Sequence, residues 1–176
     1  MTKRRTIMIF PKFDNMHYIE EIRKKYDPLV EHVSGHITLA FTFESNLSSQ
    51  KLKEHLSDVL LNYEPFKLTM NHVTKIDNQL GKYLFLLIDE GLDQVKELSE
   101  AIYTGILESY KPSWLTKESY LPHMTLGVFS SKNDLDLAFE DVNDHMTFET
   151  VIDKISVEII ADNEDSIIDF EIEIRK

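Results

Sequence analysis

Two tetrapeptides carry residue types able to move protons at a phosphorus centre: His36-Ile37-Thr38-Leu39 and His123-Met124-Thr125-Leu126. In an extended strand, residues two apart point to the same side. Each tetrapeptide therefore presents an imidazole beside a hydroxyl, and its second and fourth residues anchor the opposite side in a core. An in-line displacement needs one group to take a proton from the attacking oxygen and another to give one to the leaving oxygen. Histidine does either near neutral pH, because its ordinary pKa is about 6.5. The hydroxyls of Thr38 and Thr125 suit hydrogen bonds to the non-bridging oxygens, with imidazolium adding charge stabilisation, and no step calls for a metal. One such tetrapeptide alone would be read as a structural histidine. Two copies, 87 residues apart and opening corresponding strands, point to His36 and His123 as paired catalytic groups.

The elements that position them follow from hydrophobic spacing. His36 to Phe43 alternates, with Ile37, Leu39, Phe41 and Phe43 on one side, and His123 to Phe129 reads as a second such strand. Thr6 to Phe10 is a short strand closed by Pro11. Asp14 to Tyr26 spaces Met16, Ile19, Ile22 and Tyr26 as an amphipathic helix. A helix from Asn46 to Asn62 has a serine cap at Ser48 or Ser49, and a strand runs from Pro65 to Ile76. Beyond these the spacing predicts a strand at Tyr83 to Ile88, a helix at Leu92 to Ser109, a loop at Lys111 to Pro122 and a helix at Asn133 to Met146. Strands at Phe148 to Ile160 and Ile167 to Ile174 follow. Each half reads strand, helix, strand, helix, strand, with Phe66 aligned to Phe148. Without a break in composition, residues 1–176 are expected to form one domain of two pseudo-symmetric lobes, each carrying one motif.

Composition narrows the chemistry. The 176 residues carry a net charge of −12, which repels duplex DNA, long polyphosphates and anionic lipid surfaces. A small anionic ligand in a locally positive pocket remains compatible. The absence of cysteine excludes a disulfide scaffold, a thiolate metal site and a cysteine nucleophile. Five glycines supply no phosphate-cradling loop of the kinase or dinucleotide type. The basic Lys3-Arg4-Arg5 is followed by too short an apolar run for a secretion signal, and no run approaches a membrane span, so a soluble, cytoplasmic protein, monomeric, is expected.

Paired His-x-Thr motifs in a chain of this length, with Tyr120-Leu121-Pro122 leading into the second, resemble the two-histidine (2H) phosphoesterase superfamily. That superfamily includes the 2′-5′ RNA ligase-like proteins and cyclic phosphodiesterases, and the resemblance is strongest to its small bacterial branch. It places the catalytic histidines on His36 and His123 and the phosphate-binding hydroxyls on Thr38 and Thr125. It implies an α+β bilobal duplicated fold, with two antiparallel sheets flanking a central cleft and helices outside. It further implies chemistry without metal or other cofactor on 2′,3′-cyclic or related phosphates. The acidic balance favours a small cyclic nucleotide or an RNA 3′ end over a long RNA. Two rival readings use the same cleft: a non-catalytic protein that binds a phosphorylated ligand, and an RNA 2′-5′ ligase or RNA-end processing enzyme.

Other side chains are candidates for touching the substrate. Tyr120 and Trp114 precede the second motif and suit stacking on a base. Phe10 and Lys12, at the end of the first strand, are placed to reach the cleft mouth, as is His32 before the first motif. The remaining histidines show no metal-ligand spacing.

Overall fold

In the computed structural model, which describes residues 2–142 and 145–175, the chain opens with β1 (Lys3–Ile9), α1 (Met16–Tyr26), β2 (Ile37–Ser45) and α2 (Ser49–Leu60). A hairpin of β3 (Phe66–Asn78) and β4 (Gly81–Ile88) follows, then α3 (Leu92–Ile102) and a 3-10 helix (Gly105–Tyr110). The chain continues through β5 (His123–Phe129), α4 (Lys132–Asp141), β6 (Phe148–Ile152), β7 (Lys154–Ile160) and β8 (Ser166–Glu173). Among the described residues these strands form two antiparallel four-stranded sheets, ordered β2-β1-β7-β8 and β5-β4-β3-β6. The fold is mixed α+β.

The first sheet joins the two ends of the chain, and the second is built from its middle. The helices interlock them. α1 connects β1 to β2 of the first sheet yet packs on β5 of the second, while α3 connects β4 to β5 of the second and packs on β2 of the first. α2 lies on β8, and α4 on β3 and β4. One core runs through both sheets. Ile19, Leu39, Leu52, Leu56, Leu84, Val95, Leu98 and Val157 are all fully buried in it. Truncating such a residue to alanine costs about 2–5 kcal/mol.

Several boundaries follow from backbone chemistry. Ser48 caps α2, its hydroxyl accepting from the Lys51 amide. The helix expected to run to Ser109 stops at Ile102, because the chain turns through Gly105 at φ +52, a left-handed conformation that suits glycine. The 3-10 helix that follows buries Leu107 and packs Tyr110 on Phe43. The single strand expected from Phe148 to Ile160 is two strands hinged at Asp153, whose carbonyl accepts from the Ile174 amide. β6 pairs with β3 and β7 with β1, so the hinge moves the chain from one sheet to the other. Phe66 and Phe148 are therefore not equivalent positions in two repeats but lie on directly paired strands. α4 ends at Asp141, and the expected helical stretch over residues 143 and 144 lies outside the described residues.

Candidate active site

β2 and β5 are edge strands of their respective sheets, and they approach one another. The pleat buries Ile37 and Leu39 completely and leaves His36 and Thr38 half-buried on the opposite side. β5 repeats the pattern, with Met124 and Leu126 inside and His123 and Thr125 half-buried.

Each imidazole is held in the same way. His36 Nδ1 lies 2.8 Å from the Ser34 carbonyl and His123 Nδ1 2.7 Å from the Leu121 carbonyl, in both cases two residues upstream. A carbonyl only accepts, so Nδ1 carries the proton and Nε2 is the nitrogen free to exchange one with a ligand. Aromatic rings fix the planes: Phe10 is tilted against His36 at 5.9 Å, and Phe85 stacks on His123 at 3.5 Å. Burial holds both imidazoles below the ordinary histidine range, and the carbonyl bonds only partly oppose it. His123 is lowered to about 4, with the charge of His36 contributing. Arg23 adds to the lowering at His36 and Asp27 opposes it.

The free edge of β2 is closed by side chains that follow β4 in the chain. Tyr120 donates to the Thr38 carbonyl at 2.6 Å, Ser99 to the Leu39 carbonyl at 2.6 Å, and the Phe41 amide donates to the Tyr103 hydroxyl at 2.8 Å. These bonds satisfy backbone groups that an edge strand otherwise leaves open. Gly35 brings two methionines close just before the first motif. A Cβ on Gly35 would stand 2.7 Å from Met16 and 2.9 Å from the sulfur of Met124, the second residue of the other motif.

The model of the 2′-5′ RNA ligase superfamily matches residues 11–164, a span that contains both motifs. The chain belongs to the 2′-5′ RNA ligase superfamily. A protein of Geobacillus thermodenitrificans (strain NG80-2) named "Putative phosphoesterase" is 25% identical over 152 residues, covering 84% of this chain and 83% of its own. Escherichia coli LigT complexed with NADP+ superposes over the whole of both chains with a TM-score of 0.66 at 16% identity. LigT complexed with 3′-AMP does so with a TM-score of 0.64 at 11% identity. These likenesses establish the fold that this member of the superfamily shares.

The other candidate residues divide. Phe10 stands beside His36, and Lys12 is exposed on the same approach. With Ser34 and Gly35 both line a cavity of about 860 Å³ adjoining His36, which His32 also lines while its Nδ1 contacts the Asp165 carboxylate at 2.8 Å. One placement corrects expectation. Tyr120 is buried, and its hydroxyl is engaged by Thr38, so it ties the two motifs together instead of offering a stacking surface. Trp114 is exposed and packs edge-on against Phe41, which the Tyr120 ring also meets.

Composition and spacing did not single out Arg23, Phe85 or Ser99. Arg23 is buried in α1, paired with Asp27 and donating to the Val33 carbonyl at 2.8 Å, and so holds the loop that leads to His36. Its four-residue spacing from Asp27 is the only trace in the sequence. Phe85 sits in an almost continuous apolar run, where nothing distinguishes a ring that faces a histidine from one that faces the core. No helix among the described residues is long and apolar enough to cross a membrane.

Proposed function

We propose that this protein is a phosphoesterase that opens a 2′,3′-cyclic phosphate, or a related nucleotide or RNA-end phosphodiester, by paired-histidine acid–base catalysis. The observation that carries this reading is the matched Nδ1–carbonyl pairing of His36 and His123, which leaves one Nε2 from each sheet for the substrate. One neutral imidazole takes a proton from water as the water oxygen bonds to phosphorus. The other, as imidazolium, gives its Nε2 proton to the departing ribose oxygen as the P–O bond breaks. Thr38 and Thr125, two residues along each strand, are assigned to the non-bridging oxygens, whose charge grows in the transition state. These steps use protons and hydrogen bonds alone. The same displacement with a ribose hydroxyl in place of water as the nucleophile is ligation by the same groups. The net charge of −12 favours hydrolysis of small substrates over joining of long RNA.

The experiment is hydrolysis of 2′,3′-cyclic nucleotides by the purified chain with EDTA present. Turnover that is lost on either His36→Ala or His123→Ala supports the assignment. Tight binding of cyclic nucleotides with no turnover by the unaltered protein would favour a ligand-binding role.

A further inference from the structure

The two sheets present unlike walls beside the motifs. Cross-strand partners in an antiparallel pair point to the same side. In the first sheet Thr38 pairs with Met8 and Met8 with Ser156, which puts Glu158, two residues further along β7, on the same side as Thr38. In the second sheet Thr125 pairs with Phe85 and Phe85 with Thr74, and two residues along β3 stands Ile76. The wall of the second sheet is aromatic, with Tyr83 stacked on Phe85 and Phe85 on His123. The wall of the first carries a glutamate where the other has isoleucine, so the fold itself does not require a carboxylate there.

Glu158 is 1% exposed and lines the cavity that adjoins His36. One of its oxygens accepts from the Ser166 hydroxyl at 2.9 Å, and the other, Oε1, has no hydrogen-bond partner. A buried carboxylate oxygen left without a donor is costly, and it is the kind of group a ligand donor completes. Glu20, Glu31 and Glu171 line the same cavity, against Lys12 and Lys154, so a second phosphate would be repelled there. β2 and β7 flank β1 and lie about 10 Å apart, which is the reach of a nucleoside.

We infer that this cavity is a nucleobase subsite in which the unpartnered oxygen of Glu158 accepts from the exocyclic amine of the base. The inference rests on the cyclic-phosphate reading of the histidine pair. The subsite selects bases that carry an amino group (adenine, cytosine, guanine) over uracil, and it disfavours nucleotides bearing a further phosphate. Burial raises the Glu158 carboxyl above its usual range, in keeping with a group that lacks a donor.

The test compares kcat/KM for cytidine and uridine 2′,3′-cyclic phosphates in the unaltered protein, Glu158→Gln and Glu158→Met. The unaltered protein should prefer cytidine by about tenfold, the scale of one hydrogen bond to a charged acceptor. Glu158→Met should erase that preference while leaving uridine turnover within about threefold, and Glu158→Gln should retain part of it. Equal turnover of the two substrates by the unaltered protein, or a preference untouched in Glu158→Met, overturns the subsite. Failure of the histidine reading looks different, since no cyclic nucleotide would then be turned over. In that case titration of the unaltered protein and Glu158→Met with cytidine and uridine 3′-monophosphates decides. Tighter cytidine binding that Glu158→Met abolishes upholds the subsite, and equal binding overturns it.

Discussion

The Tyr120 hydroxyl donates to the carbonyl of Thr38 at 2.6 Å, joining the loop that leads into β5 to the strand that carries the first motif. The strand of the first motif is therefore tied to the loop that leads into the second, by a side-chain hydroxyl at one end and a backbone carbonyl at the other. Gly35 adds a second contact between the motifs by admitting Met124 against the turn before His36.

Tyr120→Phe removes that bond while keeping the ring. Loss of a buried hydrogen bond should cost about 1–3 kcal/mol, read as a lower midpoint in chemical denaturation with an unchanged slope. A smaller fall in kcat, of a few-fold, should accompany it as the two motifs loosen. An unchanged midpoint would show that the tie contributes nothing.

Thr38→Val and Thr125→Val keep the β-branched shape of each strand position and delete the hydroxyl. Each should lower kcat for a 2′,3′-cyclic nucleotide by about 10²–10³ if the hydroxyl meets charge that develops in the transition state. Circular dichroism and denaturation midpoints should be close to those of the unaltered protein. A rise in KM alone would assign the threonines to ground-state binding instead.

Both imidazoles are held below the ordinary range, His123 at about 4, so the form with one ring neutral and one protonated is most populated below pH 6.5. The rate profile of kcat/KM should be bell-shaped with its maximum on the acid side of 6.5, falling as pH rises and the second proton is lost. A bound phosphate anion favours imidazolium, so the alkaline limb of kcat should lie at higher pH than that of kcat/KM. The same lowering has a sign for stability. Between about pH 4 and 6.5 the unfolded chain binds more protons than the folded one, so stability falls as pH drops through that window. A profile flat from pH 5 to 9 would contradict paired acid–base action, provided chemistry limits the rate.

Arg23→Met should disturb the site without touching it. The loop between Asp27 and His36 loses the donor that holds the Val33 carbonyl, and the buried Asp27 loses its partner. We expect destabilisation of about 3–5 kcal/mol and a fall in kcat that saturating substrate does not restore. Near-native stability would show that the loop is held by other means.

Much of the site was legible because strand alternation is a local property. The sides of His36 and Thr38, and of His123 and Thr125, follow from the backbone pleat, and a buried residue on each flank confirms the register. The cap at Ser48 is likewise local chemistry. Sheet membership was not legible, because the hinge at Asp153 lies inside an otherwise uniform β-forming run and only tertiary pairing assigns β6 and β7 to different sheets. Trp114 and Tyr120 read alike as loop aromatics; both rings meet Phe41, and only tertiary packing buries the one and leaves the other exposed. Glu158 was invisible for the same reason, one carboxylate among many until its neighbours in space are known.

The most direct measurement is the rate of 2′,3′-cyclic nucleotide hydrolysis, with EDTA present, by His36→Ala, His123→Ala and the double variant. If both rings act on one phosphorus, each single change lowers kcat by about 10²–10⁴, and the double variant is little slower than the worse single. Either single variant turning over at the unaltered rate would contradict the account.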